Sequence, residues 1–527
     1  MSDATSVATL TPEPIVRLEN YFQDPYNLAI ATARTCYSST VISAQDVDRD
    51  EHAREQRDRI AESIYKAGHH TTIQHPTFQF VLEKVSRQFL WSFLHSHQFY
   101  NSEQVSQRFV EVKPEHFTIP PLDDRARAIY LDTVHDQMTA YHQLIDLVEP
   151  TAAAEYRRIF PARDVAEKRW ASAIKKRCQE VARYVLPVAT HAHLYHTISG
   201  LTLHRYWRLC QQFDVPLEQR LVVQRMVDEV AKIDPQFMAL AEEPIPFEQT
   251  VEYQLFEQFH GAQRNGTTLH FLEEFDGELG GVTSKLVDYK VNAQETMAQA
   301  VRSMLGLTKG QLPDAQAIEL VLDPARNRYL AESLTLTTMS KLSRAMVHPH
   351  FTFKKKLSHT ADSQDQRHRM VPASRPILSC HFISARPDYI LPPLIAASAE
   401  AEAEYRRIMA ITWRAIEQLL NLGVSKEFAL YLLPNAFPIR FEESGDLLHF
   451  HHKWVQRLCY TAQEEIWNAC RDEVLQVTRQ FPDIGRYLQA PCWPRARARV
   501  SPVCPEGDRF CGIAVWKMPV EEYRRLI

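Results

Sequence analysis

The chain has 527 residues, 45% hydrophobic and 24% charged, with a formal net charge of -5. That length exceeds one ordinary core, so two or more domains are expected, and the composition excludes a disordered or fibrous chain. The near-even charge balance excludes a global field for polyanions, so no nucleic-acid partner is expected and any phosphate recognition has to be local. No run is long enough to cross a bilayer, and the opening "MSDATSVATLTPEPIV" has no cationic leader before an apolar stretch, which makes the cytoplasm the expected compartment and a membrane partner unexpected. Nine cysteines without a CxxC pair fit reduced thiols, and the irregular spacing of Cys492, Cys504 and Cys511 argues against a metal site.

Along the chain, "TFQFVLEKVS" (77–86) alternates apolar and polar residues as a half-buried strand does, and "PLEQRLVVQRMVDEVAKI" (216–233) repeats apolar residues at three and four, which predicts a helix. "FHGAQRNGTT" (259–268) carries turn residues and reads as a join. Beyond it, "AQETMAQAVRSMLGL" (293–307) predicts a helix and "FTFKKKLS" (351–358) a strand. "AEAEYRRIMAITWRAIEQLLNLG" (401–423) predicts a helix stopped by Gly423. The stretch after Gln489, "APCWPRARARVSPVCPEGDRF", reads as irregular surface, with Arg495, Arg497 and Arg499 on a solvated face.

The chain repeats itself. "EVARYVLP" from Glu180 and "EFALYLLP" from Glu427 share ExAxYxLP; SGxxLH follows at Ser199 and Ser444, and RLC at Arg208 and Arg457. Upstream, "HPTFQF" from His75 matches "HPHFTF" from His348, each followed by a serine, Ser86 and Ser358. Two copies of one domain are therefore expected over residues 1–255 and 265–527, with an irregular tail from about residue 487. Helices outnumber strands, giving an α+β class.

"DSQDQRHRMVPASRP" (362–376) places Arg367, His368 and Arg369 together, near Lys354, Lys355, Lys356 and Arg375, which predicts a strongly positive field. Arginine forks suit the paired oxygens of phosphate or carboxylate; they also serve buried helix ends and structural ion pairs, and spacing alone leaves both readings open. His69, His70 and His75 have no carboxylate or cysteine at ligand spacing, so no metal is expected there. His449, His451 and His452 read as helix-surface or core-edge residues, and Trp454 and Trp467 as core.

RHR preceded by Gln364, downstream of an FxF strand and a serine, resembles the signature of the flavin-dependent thymidylate synthases, RHR followed by seven residues and a serine. "ATARTCYSS" (31–39), "AGHHTTIQHPTFQF" (67–80), "NSEQVSQRFVE" (101–111), "EVARYVLP" and "RLCYTAQEEIW" resemble other blocks of that family. The likeness implies two tandem copies of an antiparallel sheet flanked by helices. Neither copy carries the full signature. The first has Ser96, His97 and Gln98 in place of RHR but keeps the spacer and "SQRF"; the second keeps RHR but lacks the Ser-x-Arg loop, and has Leu430 where the first has Arg183.

The resemblance implies conversion of dUMP to dTMP, with the one-carbon unit from 5,10-methylenetetrahydrofolate, a hydride from FAD and NADPH as reductant. It implies a site composed from both copies, in a homodimer that rebuilds a pseudo-tetramer. Carried over, the substrate contacts fall on Gln364, Arg367, Gln104, Ser106, Gln107, Arg108 and Arg183. Arg457 takes the catalytic place at the uracil ring. Arg367, His368 and Arg369, with His69 and Thr71, fall on the flavin. The family's Asn-x-Arg flavin contact falls on Asp446 to Leu448, where neither residue type is kept, and a further Asn is replaced near His452. Two alternatives follow from these departures: an inactive flavin- or nucleotide-binding homologue, and a flavin enzyme acting on another pyrimidine nucleotide.

Overall fold

The computed structural model describes residues 9–95, 99–260 and 265–525. The chain divides into two compact units. The first comprises Met1–His135, Pro187–Arg264 and Arg414–Leu433; the second comprises Asp136–Leu186, Asn265–Trp413 and Pro434–Ile527. The units do not follow the repeat boundary. Each draws a segment from the other copy, because the ExAxYxLP stretch of each copy belongs to the unit built on its twin. Sequence similarity registers ancestry and carries no sign of which neighbour a segment packs on.

In the first unit, strands β1 (Ile15–Tyr21), β2 (Thr77–Ser86), β3 (Tyr100–Gln104) and β4 (His191–Ser199) form an antiparallel sheet in the order β1-β2-β4-β3. The predicted alternation appears directly: Phe78, Phe80 and Leu82 are buried on one face of β2. A bulge interrupts β2 against β4 between Leu82 and Val85, where Lys84 takes a left-handed φ of 55°. Helices α1 (Gly200–Arg208) and α2 (Leu217–Ile233) cover the sheet, and Val222, Val223, Met226 and Val230 supply the apolar stripe of α2. Gly200 is required at the start of α1, since a Cβ there would lie 2.4 Å from the Phe237 ring.

The second unit repeats this plan with β5 (Ser284–Tyr289), β6 (His350–Ser358), β7 (Ala373–Ser374) and β8 (Pro438–Asp446) in the order β5-β6-β8-β7, again antiparallel. Its site-bearing helices are α3 (His359–Asp365), α4 (Leu447–Arg457) and α5 (Glu464–Gln480). Trp454 and Trp467 lie in its core, as their spacing predicts, and Gly423 ends the Ala399–Asn421 helix region with φ 83°.

Two expectations change. Phe80 pairs with His196 and Phe353 with Glu443, so Ser199 is the counterpart of Asp446 and not of Ser444. Both residues cap the helix that follows, and α4 is longer than α1, which is why the shared SGxxLH string is out of register. The tail is not surface throughout: Cys492–Arg497 is helical, and Val515, Val520 and Tyr523 are buried in the second core. Arg497 grips Asp323 with two hydrogen bonds of 3.0 and 2.8 Å, and Arg495 donates to the Ala331 carbonyl at 3.0 Å. Three apolar residues spread over nine positions give no period for a sequence reading to detect.

Candidate functional site

The positive field expected around residues 354–375 is largely neutralised in place. Lys354 pairs with Glu278, Lys356 with Asp276 at 2.7 Å, and Arg375 forks onto Asp362. Lys355 is fully buried between Asp365, Glu443 and Glu473 at 3.1, 3.0 and 2.9 Å. Of the acids that balance it, Asp365 is close by in α3, but Glu443 and Glu473 come from β8 and α5, far along the chain, so local charge counting missed those two.

The RHR turn itself follows α3. Ser358 caps α3 by accepting from the Ala361 amide, and the serine's amide and hydroxyl both bond Glu465. Arg367 is exposed and Arg369 half-buried, while His368 between them is buried. Its Nε2 accepts a hydrogen bond of 2.8 Å from Arg457 Nε, and Arg457 Nη2 donates to the Gln364 carbonyl at 3.0 Å. Burial first, then the Arg457 and Lys453 charges, hold His368 well below the ordinary imidazole range, so it is neutral and able to accept. Arg457 thus ends α4 as a cation fixed by two protein acceptors.

A chain of hydrogen bonds leads on from there. The Gln364 side chain donates to Gln463, Gln463 donates to the Tyr184 hydroxyl at 2.6 Å, and Tyr184 donates to Glu465. Arg183, next to Tyr184, is buried, with its Nε donating to the Glu180 carbonyl at 3.1 Å. Gln364, His368, Arg457 and Arg183 are therefore collected in one compact unit, although Arg183 comes from the first copy. Glu464 lies beside this chain; burial pushes its carboxyl up to about 8. Gln463 and Tyr184 were not singled out from sequence. The shared tyrosine of ExAxYxLP was the available signal.

The equivalent place in the first unit keeps the framework but not the arginines. Ser86 bonds Glu218, which also accepts from Tyr431 at 2.9 Å, so the serine, glutamate and tyrosine are kept. The residue before that tyrosine is Leu430, and Arg208, of the shared RLC, pairs with Glu242 at 3.0 Å. Ser96, His97 and Gln98 lie outside the described residues.

The first unit holds the other predicted residues. Gln104, at the end of β3, accepts from Arg87 at 3.1 Å, and Arg87 also donates to the Val105 carbonyl at 2.7 Å. Gln107 is buried and donates to Thr190 at 2.9 Å. Ser106 and Gln107 line a cavity of roughly 530 Å³ with Lys84, Arg87, Lys113 and His191. The Arg108 guanidinium lies 5.2 Å from the Phe109 ring centre. His69 and Thr71 sit, both exposed, at the start of the short helical turn His70–Gln74 and do not line that cavity.

The flavin fits the donor set in part. Arg367 and Arg369 offer anion-binding forks, but Asp446 caps α4 and binds the His449 ring at 2.8 Å, and Leu448 is buried. Among the described residues, no group of three or more His, Cys, Asp or Glu is placed to hold a metal ion, and no helix is long and apolar enough to cross a membrane.

A repeated antiparallel sheet with helices, carrying an Arg-His-Arg turn hydrogen-bonded to a helix-ending arginine, defines a duplicated α+β protein. The chain belongs to the thymidylate synthase complementing protein family, whose model matches it twice, over residues 17–236 and 285–483. It is similar to the flavin-dependent thymidylate synthase of Clostridium tetani, with 27% identity over 223 residues covering 42% of this chain and 83% of that protein. The enzyme of the same description from Nitratidesulfovibrio vulgaris is 30% identical over 185 residues, 32% of this chain and 71% of that protein. A solved UMP/dUMP methylase from Streptomyces cacaoi, bound with 5-Br dUMP, matches with 18% identity and a TM-score of 0.29, covering 43% of this chain and 94% of the other.

Proposed function

We propose that the chain is a flavin-dependent thymidylate synthase acting in the cytoplasm, in which one nucleotide is served by residues kept in different copies. The observation that carries this reading is the presence of Arg183, from the first copy, in the same unit as Gln364, His368 and Arg457 from the second. Losses sort the same way: the unit with Leu430 in place of arginine also has its Arg208 paired to an acid.

Arg457 faces the uracil ring of dUMP and stabilises negative charge there, making C5 the nucleophile. A guanidinium already fixed by His368 and Gln364 needs no reorganisation as that charge develops. Ser106, Arg108 and Arg183 of the first copy, with Gln104 and Gln107, hold the nucleotide at its 5′-phosphate, with Gln364 and Arg367 beside it. Arg367, His368 and Arg369, with His69 and Thr71, would hold FAD, which supplies hydride when bound. 5,10-Methylenetetrahydrofolate gives the one-carbon unit and NADPH the reducing equivalents. A homodimer would rebuild the four-domain assembly. The replacement of the family's Asn-x-Arg by Asp446 and Leu448 favours, as the second reading, a homologue that binds nucleotide without turnover.

Calorimetric titration with dUMP separates these. Arg108→Ala and Arg183→Ala should each weaken binding by about 2 kcal/mol, the usual cost of losing a hydrogen bond to a charged group. Arg457→Ala should lower methylation by roughly 100- to 1000-fold in the first reading, whereas a parent protein that binds dUMP without turning it over establishes the second.

A further inference from the structure

The second unit contains a buried ionic cluster beneath the RHR turn that the proposed chemistry does not use. Lys355 of β6 and Lys453 of α4 share Asp365 and Glu443, and Lys355 also meets Glu473. All five side chains are fully inaccessible to solvent. Glu473 further accepts from Trp454 Nε1 at 2.6 Å and Ser284 Oγ at 2.9 Å. Asp365 sits two residues before Arg367, and Lys453 lies one helical turn before Arg457. Their 2.6 Å contact is therefore a tie between the RHR turn and the helix that ends in Arg457.

The fold does not require these charges. Register and the shared serine–glutamate contact place Leu82, Phe93, His196, Tyr206 and Met226 of the first unit at the positions of Lys355, Asp365, Glu443, Lys453 and Glu473. Those five are also buried, and they form a neutral aromatic and aliphatic cluster in which Phe93 lies 4.9 Å from His196 and 4.7 Å from Tyr206 between ring centres. Apolar residues at such positions commonly stabilise a protein as well as a buried ion cluster does, since desolvation offsets the attraction. An ionic cluster confined to the unit with the RHR turn is thus explained better by geometry than by stability.

We infer that Lys355, Asp365, Glu443, Lys453 and Glu473 are positioning residues that lock the RHR turn onto α4 and so fix the His368–Arg457 hydrogen bond. The inference rests on the proposed role of Arg457 for its effect on turnover, but not for its effect on His368. Directional contacts from two ammonium groups hold the turn in one place where an apolar contact would let it slide.

The test transplants the twin's residues: Lys355→Leu, Asp365→Phe, Glu443→His, Lys453→Tyr and Glu473→Met together, with Asp365→Asn alone as the variant that decides should the fivefold one fail to fold. Nitrogen-15 NMR of labelled histidine reads His368, and dUMP titration and steady-state kinetics read the site. In the parent protein, His368 Nε2 should be an unprotonated acceptor that does not titrate near neutrality. In the variants that signature should be lost, and kcat should fall on the order of 100-fold with a smaller change in dUMP affinity, as for a misplaced catalytic group. A His368 signal and a kcat that survive in a folded variant overturn the inference. A parent protein that binds neither dUMP nor flavin defeats the functional reading instead, and the His368 signal alone then decides the positioning role.

Discussion

Arg457 carries the most chemistry for one residue. Its Nε and Nη2 are spoken for by His368 and the Gln364 carbonyl, so the side chain is already oriented by the protein. Arg457→Ala should lower kcat/KM by roughly 100- to 1000-fold, the scale seen when one preorganised donor is removed, with an unchanged near-ultraviolet circular dichroism spectrum as the check on folding. Tyr184 is a different kind of residue, joining Gln463 to the buried Glu465. Tyr184→Phe should cost about 1–3 kcal/mol in urea unfolding, because buried polar groups lose a partner. A cost near zero would mean that solvent reaches Glu465.

At the scale of elements, the exchanged ExAxYxLP segments are the main feature. Tyr184 bonds Glu465 in the second unit and Tyr431 bonds Glu218 in the first. Tyr431→Phe should therefore cost a similar amount to Tyr184→Phe, about 1–3 kcal/mol by the same reasoning, and urea titrations of the two variants side by side check that equality. The strands at 77–86 and 350–358 and the helices at 217–233 and 293–305 were legible because one face of each is apolar at its own period. The Arg-His-Arg turn was legible as a motif. Its neutralisation was not, because Lys355 meets Glu443 and Glu473, acids about ninety and more residues away whose approach depends on tertiary pairing. The exchange of segments was invisible for a related reason: both copies contain the same tyrosine and glutamate, and either pairing satisfies them.

For the whole molecule, buried carboxyls set the response to pH. Burial first of all pushes Glu464 up to about 8 and Glu218 up to about 7. Each keeps in the folded state a proton that the unfolded chain releases at its ordinary value near 4.3. Their stabilising contribution is fully present below that value and is lost as pH rises through 7 to 8, since the folded state then binds more protons than the unfolded one. The melting temperature should decline between about pH 6.5 and 8.5, above the range in which His191, His204 and His451, held neutral by burial with values lowered to about 4, take up protons on unfolding. Glu464→Gln should flatten that decline by up to one proton's worth, about 1.4 kcal/mol per pH unit, in chemical denaturation repeated across the range. An unaltered slope would assign the dependence to other groups.

Two copies that each keep what the other lacks make sense as one working site distributed over a duplicated chain. The measurement that tests this most directly is the visible absorbance of the purified full-length protein, followed through a titration with dUMP. A flavin spectrum that shifts on dUMP addition, and fails to shift in Arg183→Ala and Arg457→Ala, is the predicted result. A colourless protein that takes up neither added FAD nor dUMP would contradict it, leaving the Arg-His-Arg turn as a structural element of the second unit.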